Sequence, residues 1–284
     1  LRRPPATPPP GSEKSIMREA RVLTALRPTD VPHPYCHGSC SDPTVIGAPF
    51  YVMELVEGWP ADLRDGKIHD RAPFDKPPHA REVPFAMVDG LIALAKVDHK
   101  AVGLEDFGRP DNFLERQVDR WERQIKSYKQ LYDHDWRNLP GYELLRDWLR
   151  ANIPDDFQPG IIHGDVGTHN ALFAFDDPCR LTALIDWELS TIGDPLLDLA
   201  WFCNGIRDDR FPGHVPEKAL YNVHDWPTRQ ELMAHYSAGT GRNMDSFDYY
   251  LLLAMFKGGY ILEYKVAQAA KGILSPETGR FFDR

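Results

Sequence analysis

The sequence predicts an α+β fold in two lobes, a small mixed lobe over residues 1–58 and a larger, mainly helical lobe over 59–284. Three observations carry that reading. Before residue 58 one helical stripe is followed by one β-rich apolar run. Beyond residue 80 apolar residues recur mostly at three- and four-residue spacing, the mark of amphipathic helices. Short strand-like runs return only in the middle of that second part, between 161 and 185.

The elements follow in order. Residues 4–11 (PPATPPPG) hold neither a helix nor a central strand, because proline lacks the donor that both need. From Ser12, a stripe of Ile16, Val22, Leu23 and Leu26 predicts a helix that ends before Pro28. Phe50 to Val56 reads as a buried strand, closed by Glu57 and Gly58, and residues 59–79, charged and proline-bearing, read as a mobile connection. Phe85, Val88, Ile92 and Ala95 line a helix fading by Asp98. Leu114, Val118, Trp121 and Ile125 mark a second, and Leu144, Leu145, Trp148 and Leu149 a third. Strands are expected at 161–162, 171–173 and 181–185, then a helix at 196–203. Thr228 three residues before Glu231 has capping-box spacing and opens another helix. A long helix over about 247–270 is the last element expected.

Composition removes several function classes. Apolar residues at 42% supply a core, which excludes global disorder. No run approaches the ~18 apolar residues of a membrane span. A net charge of -9 is the wrong sign for sequence-independent nucleic-acid binding. Four cysteines in 284 residues make no disulfide framework, and no secretory signal opens the chain, so a cytoplasmic setting is expected. Cys36 and Cys40 beside His33 and His37 resemble half a zinc site, but Cys179 and Cys203 form no second close pair, so idle or buried thiols are the expectation.

Chemistry concentrates between 161 and 202. His163-Gly-Asp165 and Asn170 follow one short apolar run, Asp186-Trp-Glu188 ends another, and Asp198 comes later. Acidic side chains just past apolar strands leave the core and face a site. Two carboxylates and an amide oxygen form a hard-oxygen set that suits Mg²⁺. The pattern H-x-D-x4-N followed by a strand-borne Asp is the arrangement of phosphoryl-transfer kinases.

The HGD and IDWE segments resemble those of the aminoglycoside phosphotransferase-like family of small-molecule kinases, in the subgroup of kinase-like domains related to those fused to acyl-CoA dehydrogenases. REARVLTAL (18–26), DPTVIGAPFYVMELVEG (42–58) and DWELSTIGDPLLDLAWF (186–202) extend the resemblance over nearly the whole chain. It implies a protein-kinase-like fold, ATP and Mg²⁺ as cofactors, a small-molecule hydroxyl as acceptor, and no nucleic-acid or membrane partner. Asp165 would orient the acceptor hydroxyl and take its proton. Asn170 and Asp186 would hold the metal. Glu19 would be the helix glutamate that pairs with the phosphate-binding basic residue, here Arg2, with Arg3 as the neighbouring alternative. Glu54 and Val56 would present backbone groups to the adenine. His163, Glu188 and Asp198 would support the site, Asp198 by bracing the loop.

Other readings compete. His163, Asp165 and His169 could bind Zn²⁺ or Mn²⁺ in a metal-dependent hydrolase, and an Arg where kinases carry Lys leaves room for a non-catalytic nucleotide-binding module. Glu188 shares a strand face with Asp186 only if extended geometry continues. Asp194 reads as a turn cap, Trp121, Trp148 and Trp201 as core, and the acidic pairs at 155–156, 176–177 and 208–209 as solvated loops. No glycine-rich phosphate loop precedes Arg2. The expectation is a polypeptide that extends upstream through that hairpin, with a further interruption near Pro10–Ser12.

Overall fold

The computed structural model describes residues 1–5, 12–64, 67–133, 140–211 and 225–275, and the interruption expected near Pro10–Ser12 falls largely outside them. The order is α1 (Ser12–Leu26), β1 (Cys36–Cys40), β2 (Phe50–Met53), β3 (Asp62–Arg64), β4 (Lys67–His69), α2 (Glu82–Ala95), α3 (Phe113–Tyr132), α4 (Tyr142–Ala151) and β5 (Gly160–Ile162). Then come β6 (Ala171–Phe173), β7 (Leu181–Leu184), β8 (Thr191–Gly193), α5 (Leu196–Cys203), α6 (Arg229–Thr240) and α7 (Phe247–Ala270). The strands form four two-stranded antiparallel sheets, β1–β2, β3–β4, β5–β8 and β6–β7. Among the described residues no helix is long and apolar enough to cross a membrane.

Contacts divide the chain into two compact units. One comprises Leu1–Arg109 with Gln158–Met244, the other Pro110–Phe157 with Asp245–Arg284. In the second unit α3 and α4 pack on α7 through rings: Trp121 stacks on Tyr260, Tyr128 meets Tyr264 and Tyr142 stacks on Phe256. Tyr142 and Tyr260 also join through their hydroxyls, which satisfies two polar tips inside an apolar interface.

The first unit holds every proposed site residue, and its local structure explains why they meet. Ile16, Ala20, Leu23 and Leu26 bury one face of α1, and Glu19 lies on that same face at 1% exposure. A carboxylate there requires a partner, since burying an unpaired charge is costly. Arg2 reaches β2 through a bridge to Tyr51 that exchanges both backbone bonds, at 2.9 and 3.0 Å. In the β6–β7 hairpin Ala171 faces Leu184, so Asn170 just before β6 and Asp186 just beyond β7 share one end. Ile185 seals that end by donating its N–H to the Asn170 carbonyl at 2.9 Å.

Several expectations need correcting. The 59–79 segment is anchored rather than a mobile connection. Trp59 is buried, exchanges backbone bonds with Phe173, donates its indole N–H to the Ala174 carbonyl at 2.9 Å and stacks on buried Phe74, and β3 pairs antiparallel with β4 within the same span. The run 50–56 is only half buried, because β2 stops at Met53 and Leu55 is 93% exposed. β1 (CHGSC) carries no apolar alternation; pairing with β2 makes it a strand, in a register that places Cys36 opposite Met53 and Cys40 opposite Phe50. Across the bulge in β1, Cys36 and Cys40 lie opposite β2 residues three apart, so their backbones stand roughly 10 Å apart, too far for one zinc ion. Trp148 is 37% exposed and is not core. Asp208 is no solvated loop acid: it is buried and receives donors from Arg210, Arg229 and Gln230.

Candidate active site

Three charged residues from distant segments meet at the centre of the site. Arg2 places Nε 2.9 Å from Glu19 Oε2 and donates from its terminal nitrogen to Asp186 Oδ1 at 2.5 Å. Tyr51 donates its hydroxyl to the same Glu19 oxygen at 2.8 Å. Burial pulls the guanidinium pKa down, but the Glu19 and Asp186 carboxylates outweigh it and the net shift is upward. The Glu19 pKa is raised as well: burial pushes it up, and Arg2 and Tyr51 only partly offset that. Of the two arginines open to the sequence, the structure brings Arg2 to Glu19.

Asp186, two residues beyond β7, lies in the left-handed region, at φ 67° and ψ 58°. That conformation is rare outside glycine and occurs mostly in Asn and Asp, and here it turns the chain into a 3₁₀ turn over Trp187–Leu189. Extended geometry therefore does not continue, and Glu188 does not share a strand face with Asp186. The tight turn still brings Glu188 close, so that one carboxylate oxygen from each of Glu19, Asp186 and Glu188 lies within 4.8 Å of the others. Burial, then repulsion from Asp186, raises the Glu188 pKa.

The loop from 163 to 170 is held from beneath. Asp198, at 2% exposure on α5, accepts the backbone N–H of His163 at 2.6 Å and of Gly164 at 2.9 Å. Gly164 turns at φ +86°, and a Cβ there would lie 2.6 Å from the Leu189 carbonyl oxygen. His163 is fully buried against Trp187, with ring centroids 4.7 Å apart. Its Nδ1 accepts the Asp165 N–H at 3.4 Å, which places the ring proton on Nε2 for donation to the Ile185 carbonyl at 2.9 Å. Burial lowers its pKa, so the ring is neutral. With both nitrogens engaged inside the protein, His163 braces the loop, and His169 is exposed.

Asn170 donates its side-chain amide to the Asp165 carbonyl at 2.9 Å and to Asp165 Oδ2 at 3.1 Å. The amide nitrogen is thereby engaged, and Oδ1 is the atom left to offer a cation. Glu54 and Val56 lie on the connection after β2. The Glu54 N–H bonds the Tyr35 carbonyl at 2.8 Å, so its own carbonyl is the backbone group left to offer a ligand. Neither residue is hydrogen-bonded to the charged cluster among the described residues.

Two contributors escaped the sequence. Tyr51 reads there as a strand aromatic, and its hydroxyl role depends on where Glu19 arrives. Arg18 donates to the Phe107 carbonyl at 2.9 Å and the Ser190 carbonyl at 3.1 Å, fastening α1 to the turn after Asp186. A surface-type helix arginine gives no signal of that. Asp194 is a cap as expected, accepting the Leu196 N–H at 3.0 Å, but it also accepts from Gln158 at 2.9 Å and pairs with buried Arg242 at 2.9 Å.

The model of a phosphotransferase enzyme family matches residues 1–232. A probable acyl-CoA dehydrogenase, IBR3, of Arabidopsis thaliana is 37% identical over 204 residues, 69% of this chain and 24% of that protein. Acyl-CoA dehydrogenase family member 11 of Homo sapiens is 32% identical over 256 residues, 88% of this chain and 31% of that protein. The chain thus spans about a quarter to a third of the length of these relatives. A crystal structure from Ralstonia eutropha JMP134, carrying an aminoglycoside phosphotransferase label, superposes with a TM-score of 0.73 at 30% identity, covering 96% of this chain and 83% of that one. The protein-kinase-like fold expected from the sequence is the fold of these neighbours.

Proposed function

From the membership of this chain in the phosphotransferase enzyme family, we propose that it transfers the γ-phosphoryl group of ATP to a hydroxyl of a small molecule, with Mg²⁺. The family supports a small-molecule phosphotransferase. The observation that carries the finer reading is the convergence of Arg2, Glu19 and Asp186, with Asp165 and Asn170 joined beside them.

The donor set fits the metal. Asp186 supplies a carboxylate whose charge is already met by a cation, the Arg2 guanidinium, and Asn170 supplies an amide oxygen whose partner nitrogen is engaged. Asp186 and Asn170 would hold Mg²⁺, which when bound neutralises phosphate charge. The rest of the work falls to the chain. Arg2, oriented by Glu19 and Tyr51, would donate to phosphate oxygens. Asp165 would align the acceptor hydroxyl and take its proton as the new P–O bond forms and ADP departs. The Asp198 clamp and the His163 ring would hold Asp165 in place, so that catalysis rests on positioning and charge. Glu54 and Val56 would meet the adenine through backbone groups, and Glu188 would order the metal's surroundings.

The test is an acceptor screen scored by ATP consumption, run with Asp165→Asn and Asp186→Asn. The reading expects both variants to lose transfer and only Asp186→Asn to lose Mg²⁺-nucleotide affinity by calorimetry. Unchanged affinity in Asp186→Asn would remove the metal assignment. Tight nucleotide binding without transfer to any acceptor would favour a non-catalytic module.

A further inference from the structure

A second group of potential ligands lies at the opposite end of the β6–β7 hairpin from Asn170 and Asp186. His79 and Glu82 stand three residues apart where a 3₁₀ turn, His79–Arg81, runs into α2, and Asp177 comes from the β6–β7 turn. His79 Nδ1 is 2.9 Å from Glu82 Oε1 and 3.6 Å from Asp177 Oδ1, and the three donor atoms lie within 4.8 Å of one another. From this geometry we propose that His79, Glu82 and Asp177 form a binding site for a divalent transition cation of the Zn²⁺ class, which clamps the β6–β7 turn to the start of α2.

The spacing supports the assignment. Ligand atoms bound at ~2.0–2.2 Å lie roughly 3.0–3.5 Å apart across the edge of a tetrahedral or octahedral shell, and the two measured separations bracket that range. One imidazole nitrogen with two carboxylates favours a borderline transition ion over Mg²⁺, which takes oxygen alone. Two of the ligands are also held in place by outer contacts. Phe74, itself buried, meets the His79 ring edge-on at 6.2 Å, and the Cys179 N–H donates to Glu82 Oε2 at 2.7 Å, leaving Oε1 turned to His79. Such outer contacts orient the ligands of metal sites. The competing account is that a proton alone links the imidazole to the carboxylates.

The experiment titrates the whole chain with ZnCl₂ by calorimetry and with CoCl₂ by visible absorption, in native protein and in an Asp186→Asn background that weakens the other carboxylate cluster. The proposal expects one ion per chain in both backgrounds, with ligand-field bands for cobalt. His79→Ala should weaken affinity at least 30-fold. Asp177→Asn, at an exposed turn where folding is not at stake, should weaken it at least tenfold. No stoichiometric binding, binding unmoved in Asp177→Asn, or binding abolished by Asp186→Asn would each overturn it. The last result would place the ion in the nucleotide site instead.

Discussion

Asp198 holds His163 by its backbone: the carboxylate accepts the His163 N–H at 2.6 Å while its second oxygen takes the next N–H, that of Gly164, at 2.9 Å. A helix residue 35 positions away thus sets the path of the loop that presents Asp165. Asp198→Ala strands two N–H groups, one of them buried, each worth about 1–3 kcal/mol when unpaired. The expected outcome is a loss of about 2–5 kcal/mol in urea unfolding and a fall in kcat with nucleotide affinity nearly retained. Asp198→Asn keeps one acceptor oxygen and should lie between.

Gly164 makes the turn that the clamp stabilises, in a backbone region closed to most side chains. An alanine methyl would press on the Leu189 carbonyl in the turn that follows Asp186. Gly164→Ala is expected to lower the unfolding midpoint and to reduce transfer more than tenfold. A variant with full activity would show that the loop tolerates displacement.

Glu19 is buried on the apolar face of α1 and depends on Arg2 and Tyr51. Because Arg2 is a third exposed, solvent screens part of the pair, and its coupling should be about 1–3 kcal/mol in a double-mutant cycle of Arg2→Ala and Glu19→Gln. Arg2→Lys should keep part of the stability but lose nucleotide affinity, since one ammonium cannot span Glu19 and Asp186 in the same fork. Equal affinity in native protein and Arg2→Lys would remove Arg2 from phosphate binding.

Asp70 gives a pH dependence of definite sign. Burial pushes its pKa from 3.8 to about 7, and the Trp226 indole does not offset this. A raised carboxylate pKa means the folded state holds the proton more tightly than the unfolded one, so this contribution falls as pH rises from about 4 to about 7. At ~1.36 kcal/mol per unit it reaches about 4 kcal/mol. Asp70→Asn should therefore stabilise the protein at pH 8, do little at pH 4, and flatten the stability profile between them. Thermal unfolding at the two pH values checks it.

The residues alone determined much of this protein. Apolar periodicity marked α1 to α4 and α7, because a helix that packs on a core repeats its apolar residues near 3.6. The Thr228–Glu231 box forms as its spacing requires, since both bonds are local. The candidate set of Asp165, Asn170 and Asp186 was legible because polar residues clustered after short apolar strands are chemically conspicuous, whereas Asp198 entered through the family resemblance. Tertiary structure decided which of these groups meet and what surrounds them. Arg2 over Arg3, the hydroxyl of Tyr51, the carbonyl grip of Arg18 and the approach of Glu188 through a left-handed turn all depend on segments 17 to 184 residues apart. β1, which has no strand pattern of its own, and the packing of Trp59 on Phe74 likewise depend on partners outside the local pattern. Local pattern records the solvent preference of each position, whereas the partner of a buried charge or an edge strand is chosen by chain topology, which pattern does not encode.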